Sequence, residues 1–274
     1  MIIVKLRGGL GNQMFQYAFG KALSMDARAP LLIDITWYKN SDREFLLREL
    51  NMPHERYSRN RLFMKTRMKL RHPKVIRDSD RLELKDLVTS KQNLFLEGNW
   101  ESPKYFAGKE TFFREIFVLK DPSLEFTEAA KTVGKDSIAV HVRRGDYLIP
   151  HGKFLNGKSY YEAGVERIIK AKGLQKPMIT IFSDDPEWCR KEMGVLAGCP
   201  ANVFAGKLGS DAEELMLMSL YGNNVISNST FSWWSAFLNK NDGKMVVMPA
   251  DWFTDKSRNA EYVAGVSVPG WITI

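Results

Sequence analysis

The stretch Ile2–Gly20, IIVKLRGGLGNQMFQYAFG, sets how the rest of the chain is read. A short apolar run, Ile2-Ile3-Val4, leads into glycines, and the residues beyond have the spacing of a helix over about Met14–Ala27. Strand, glycine turn, helix is how a nucleotide-binding α/β fold begins. The turn carries only part of a dinucleotide fingerprint. Gly9-Leu10-Gly11 supplies the first half, but Met14 stands where the third glycine belongs. Asp34, ending the next expected strand (Pro30–Ile35), could stand in for the ribose-binding acid. The plainer reading is a tight turn that needs a residue at positive φ.

The second half of the chain alternates more cleanly. SIAVHV (137–142), PMITIF (177–182), NVFAG (202–206), NVIS (224–227) and KMVVMP (244–249) read as strands. Between them SYYEAGVERIIKAK, PEWCRKEM, SDAEELMLMSLYG and TFSWWSAFLN read as helices, with a Ser210/Glu213 capping box and Gly222 as a helix stop. Strands alternating with helices predict a doubly wound parallel sheet. A fresh series begins after Gly134, so the expected domains are residues 1–134 and 135–274. The region of about 40–130 is less regular.

The bulk properties narrow the class. The chain has 274 residues with 44% hydrophobic content, ordinary for a globular protein. No apolar run approaches the length of a membrane span. The start, MIIVKLRGGL, turns polar too soon for a signal peptide. Two cysteines imply no disulfide framework, and a cytoplasmic location is expected. The net charge of +8 favours anionic partners. It is concentrated between Arg56 and Arg77, where nine lysines and arginines occur without an acid. With Leu62, Phe63, Met64, Met68 and Leu70 interleaved, this segment reads either as a basic amphipathic helix on an anionic membrane face or as a solvated helix. No motif supports a nucleic-acid partner.

Four loops follow expected strands, where ligands of such folds sit. GGLGNQ (8–13) is the first. HVRRGDY (141–147) places His141, Arg143, Arg144 and Asp146 after a strand, and guanidinium forks suit phosphate oxygens. FSDDPEW (182–188) offers Asp184 and Asp185, a pair suited to a metal, to the adjacent N–H donors of guanine, or to capping the next helix. SNSTFSWW (227–234) sets Ser229 and Thr230 at a helix N-terminus, an anion site. Trp233 and Trp234 are expected in the core.

GGLGNQMFQYAFG, HVRRGDY, FSDD and SNSTFSWW, in this order, closely resemble bacterial α-1,2-fucosyltransferases of glycosyltransferase family 11. The resemblance spans roughly residues 1–250. It implies a GT-B-type fold, two Rossmann-like α/β domains facing across a cleft, with the first domain on the acceptor side. It implies GDP-fucose as donor, bound largely by the second domain, and inverting transfer to the 2-hydroxyl of a terminal β-galactoside; the basic segment 56–77 adds the expectation of contact with an anionic membrane or a lipid-linked acceptor. It also implies that no divalent metal or other cofactor is needed. By motif, Arg143 is expected on the β-phosphate with Arg144 beside it. Ser229, Thr230 and Phe231 are expected on the pyrophosphate, Asp184 on guanine, and Gly11 and Asn12 near the donor from the other domain. His141 and Asp146 are the candidates for the general base, and Asp146 could instead orient an arginine. The alternatives are an NAD-dependent oxidoreductase built on the first glycine turn and a non-catalytic nucleotide- or glycan-binding protein.

Overall fold

The computed structural model describes residues 1–53, 56–80, 84–89, 92–148 and 153–274. The chain divides into two compact units, Met1–Lys120 and Asp121–Ile274. The division falls before a helix, Leu124–Lys131, rather than after it as the position of Gly134 suggested. That helix stays with the second unit because Glu213 holds its start. The Ser123 amide and hydroxyl donate to the Glu213 carboxylate at 2.6 and 2.8 Å, and the Gly209 amide donates at 2.6 Å. Burial pushes the Glu213 carboxyl up, but these three donors outweigh it and hold it below the usual carboxylate value.

The first unit runs β1 (Ile2–Lys5), α1 (Leu10–Asp26), β2 (Leu31–Asp34), β3 (Arg56–Ser58), α2 (Arg61–Arg71), β4 (Lys74–Arg77), α3 (Leu84–Thr89), β5 (Leu94–Glu97) and α4 (Glu110–Ile116). Its sheet is parallel with strand order β3-β2-β1-β5-β4. β1 is central and its Ile2, Ile3 and Val4 are buried. α1 is apolar around most of its circumference, and Leu10, Met14, Phe15, Tyr17 and Phe19 are all buried. Phe19 packs on Trp100 and Tyr105 with ring centroids 4.5 and 4.8 Å away.

Two sequence expectations change here. α1 begins at Leu10, not near Met14, so Gly11 and Asn12 lie in its first turn rather than in the loop. The reversal is completed earlier, at Gly8, whose φ of +79° only glycine adopts without strain. The Gly8 carbonyl accepts from Gln13 Nε2 and Tyr38 Oη, both at 3.1 Å, so the turn is pinned from beneath. The basic segment is not one helix either. Asn60 accepts from the Leu62 and Phe63 amides and starts α2, His72 ends it at φ 42°, and the flanking residues are the edge strands β3 and β4.

The second unit runs α5 (Leu124–Lys131), β6 (Ile138–Val142), α6 (Lys158–Lys172), β7 (Ile179–Ser183), α7 (Pro186–Glu192), β8 (Val195–Leu196), β9 (Cys199–Val203), α8 (Asp211–Met218), β10 (Asn223–Val225), α9 (Thr230–Leu238), β11 (Val246–Met248), α10 (Asn259–Val266) and β12 (Ile272–Thr273). Strand order is β12-β11-β10-β6-β7-β9-β8, parallel except for the β8–β9 pair. Ile138, Val140, Val142, Ile179, Ile181 and Val225 form its core with Tyr161 and Val165 of α6. Trp233 and Trp234 are fully buried, as expected, and Trp233 Nε1 donates to the Val266 carbonyl at 2.7 Å. Both cysteines are free thiols. Among the described residues no helix is long and apolar enough to cross a membrane.

The role of Gly222 is also corrected. α8 stops at Met218 with Ser219 as its cap, and Gly222 instead lets the backbone pass directly against the Lys135 carbonyl. A Cβ at Gly222 would overlap that oxygen, with backbone on both sides of the clash. Gly222→Ala should therefore lower unfolding stability by about 3 kcal/mol or more, measured by urea denaturation.

Candidate active site

The site is built where three adjacent strands of the second unit end. From β6 the chain passes through α6 to β7 on one side, while β10 lies on the other side of β6. The winding therefore reverses between β6 and β10, and loops diverge there to leave a crevice at the carboxyl ends. Arg143 and Arg144 follow β6, Asp184 and Asp185 follow β7, and Ser227–Thr230 connect β10 to α9.

The arginines and aspartates sort into two pairs. Arg143 Nη1 lies 3.0 Å from Asp184 Oδ2, and the Arg144 amide donates to Asp184 Oδ1 at 2.8 Å. Arg144 Nε donates to Asp185 Oδ2 at 3.1 Å, and its guanidinium lies 3.8 Å over the Trp188 ring. Asp185 Oδ1 accepts from the Trp188 amide at 3.1 Å, so Asp185 caps α7 as expected of one of the pair. Arg144 is thus fixed by stacking and pairing, with its side chain only 13% exposed. Arg143 is more open and lies 5.8 Å from the Tyr147 ring centroid. The Tyr147 hydroxyl donates to the Asn228 carbonyl at 2.9 Å and ties this loop to the next.

Beneath these groups runs a buried polar layer. His141 Nδ1 and Ser227 Oγ are 2.8 Å apart, and Ser227 Oγ lies 3.3 Å from Ser232 Oγ. Asn228 Nδ2 donates to the Phe154 and Trp252 carbonyls, and its Oδ1 accepts from Asn156 Nδ2. Every polar atom of the Asn228 side chain is therefore used. Above this layer Ser229 caps α9 by accepting from the Phe231 amide at 3.3 Å. A capping hydroxyl still has its own proton to donate. Phe231 packs 5.6 Å from the His141 ring.

His141, Arg143, Arg144, Asp184, Ser229, Thr230 and Phe231 therefore all belong to three neighbouring strand ends. Asp146 lies in the 3-10 turn Gly145–Leu148, and its side chain is outside the described residues. Gly11 and Asn12 belong to the first unit. Sequence reading missed Asn156, Asn228 and Tyr147 as loop ties, and Glu214 on α8. Burial, then Asp211 and Asp184, push the Glu214 carboxyl up to about 7. The signal for Asn228 was available: an amide between two serines after an apolar strand is a loop-bonding side chain. Among the described residues no group of three or more His, Cys, Asp or Glu side chains is placed to hold a metal ion.

The whole chain, residues 1–274, matches the model of glycosyl transferase family 11. An α-1,2-colitosyltransferase of Escherichia coli is 30% identical, covering 95% of this chain and 95% of its own. The O-antigen biosynthesis glycosyltransferase WbnK of Escherichia coli is 25% identical over 98% of this chain and 99% of its own. A variant of Arabidopsis thaliana FUT1 in complex with GDP superposes with a TM-score of 0.55 at 12% identity, covering 89% of this chain and 69% of that one. The chain belongs to glycosyl transferase family 11 and is a glycosyltransferase. Its fold is α/β of the GT-B type, with two Rossmann-like units.

The buried layer has a pH signature. Burial, with Arg143 nearby, pulls the His141 imidazole from 6.5 down to about 3. Between those values the unfolded chain takes up a proton that the folded one refuses, so stability falls as pH drops through this window and is unaffected above it. His141→Asn should lower the unfolding midpoint near neutral pH and converge on the parent protein as pH approaches about 4. Thermal unfolding of both proteins across pH checks this. The comparison cancels Glu214, whose raised carboxyl favours the fold at low pH and loses that benefit as pH rises through about 7.

Proposed function

We propose that the protein is an inverting glycosyltransferase that moves L-fucose from GDP-fucose to the 2-hydroxyl of a terminal β-galactoside. The observation that carries this is the convergence of Arg143, the α9 N-terminus and Asp184 on one switch point. As the bond between the sugar C1 and the phosphate oxygen breaks, negative charge grows on the β-phosphate of the departing GDP. A partly exposed guanidinium and the first amides of α9 are fixed donors of the kind that stabilise such charge. Asp184 positions Arg143, and its unused lone pairs suit the two N–H donors of guanine. Arg144 keeps the loop in shape through Trp188 and Asp185.

In this reading the acceptor oxygen attacks C1 opposite the leaving group and its proton passes to a base. His141 is removed from that role: its ring is buried, it is bonded to Ser227, and it takes up a second proton only near pH 3. We assign it to positioning, which leaves Asp146 as the base. The assignment of Gly11 and Asn12 to the donor rests on the family resemblance alone. A second donor is favoured by one finding, the relative named a colitosyltransferase. Colitose is fucose without its 3-hydroxyl, so the reading covers both sugars at the same phosphate site.

Incubation with GDP-fucose or GDP-colitose and lactose or N-acetyllactosamine should give a product substituted at the galactose 2-position. Turnover should survive chelation by EDTA, since the donors above do the work a cation would otherwise do. GDP should raise the thermal midpoint and NAD should not, which separates this reading from the oxidoreductase. GDP stabilisation without transfer to any galactoside would leave the non-catalytic binder. Arg143→Ala should lower kcat by about 10²-fold or more, and near-normal turnover would remove it from the mechanism.

A further inference from the structure

We propose that the outer face of α2 docks the protein on anionic phospholipid bilayers. α2 is apolar on two opposite sides. Met64 and Met68 hold one side against Ile3, Leu32 and Phe95 of the first unit's sheet. Half a turn away, Leu62 and Leu70 are 74% and 72% exposed, with Phe63 beside them at 38%. Single exposed hydrophobic residues need no explanation, but three on the free face of one short helix form a patch. The same face carries Lys65 and Lys69, and Arg67 and Arg71 flank it. Among the described residues no carboxylate lies within ion-pair distance of these four cations. Elsewhere in the unit the cations near carboxylates are paired, as in Lys5–Glu97 at 2.7 Å and Lys109–Asp26 at 2.8 Å.

The flank of the helix continues into a cavity of about 1060 Å³, lined by Leu31, Leu32, Arg56, Phe63, Arg67 and Arg71. Apolar floor and arginine rim suit a phosphate headgroup with its hydrocarbon neck. Stable attachment to a bilayer needs two signals, burial of apolar groups and charge attraction, and α2 offers both on one face. A polyanion such as RNA would use the charge but leave Leu62 and Leu70 unburied.

The test is co-sedimentation of the full chain with vesicles of phosphatidylcholine alone and of phosphatidylcholine mixed with phosphatidylglycerol. Binding should be at least about tenfold stronger to the mixed vesicles and should weaken as salt is raised. The double variants Leu62→Ser/Leu70→Ser and Lys65→Glu/Lys69→Glu should each lose about tenfold or more in vesicle affinity. All four positions are exposed, so unfolding midpoints should stay within a few degrees of the parent. The two pairs are read independently. Equal binding to both vesicle types, no binding to either, parent-like binding by the leucine variant, or complete displacement by short single-stranded RNA would each overturn the proposal.

Discussion

One hydrogen bond, between His141 of β6 and Ser227 beyond β10, joins the two strands on either side of the switch point. The loops that carry Arg143 and Ser229 start within two residues of it, and their separation follows from its length. The bond works because the imidazole is neutral. Burial holds it so, and the nearby Arg143 charge adds to the cost of protonating the ring. Ser232 and Asn228 extend the same layer into α9 and toward Phe154 and Trp252. A polar network of this kind is stabilising only when each member is satisfied, and here its side-chain atoms find partners at 2.8 to 3.3 Å.

On this layer the charged groups are arranged by division. Each arginine of the Arg143-Arg144 pair takes its own aspartate from the Asp184-Asp185 pair, and the second couple is sealed by Trp188. The result is one pair stacked on Trp188 that shapes the loop and a second pair whose arginine is the more exposed. Adjacent identical residues therefore serve different ends, and the difference comes from α7, which captures Asp185 as its cap.

The second unit was largely legible from its residues because its central strands are apolar runs and its helices carry start signals. Ser210, Ser229 and Asp185 cap where their sequence suggested. The first unit was less legible. β3 is only Arg56–Ser58, polar and at an edge, and β5 is hidden in an aromatic-rich stretch, so neither shows a period of two. The start of α1 was misplaced because Gly11 and Asn12 look like turn residues, whereas Gly8 had already made the turn. At the site, the motifs located the loops but not the pairing. Which aspartate meets which arginine depends on the parallel register of β6 with β7, where Val142 lies opposite Ser183. The tasks of Gly222 and Glu213 were beyond reach for the same reason, since each is defined by a segment distant along the chain.

The Arg143–Asp184 pair also acts as a two-part lock. A ligand that brings only an anion can draw Arg143 away, but it leaves Asp184 without its cation. A ligand that brings only paired N–H donors meets Asp184 but offers the guanidinium nothing. A molecule with an acceptor-rich end and a donor-rich end, held at a fixed separation, meets both halves of the pair. Under the proposed function, the same 3.0 Å contact that keeps the site in order favours such a two-ended ligand over free phosphate or a bare base.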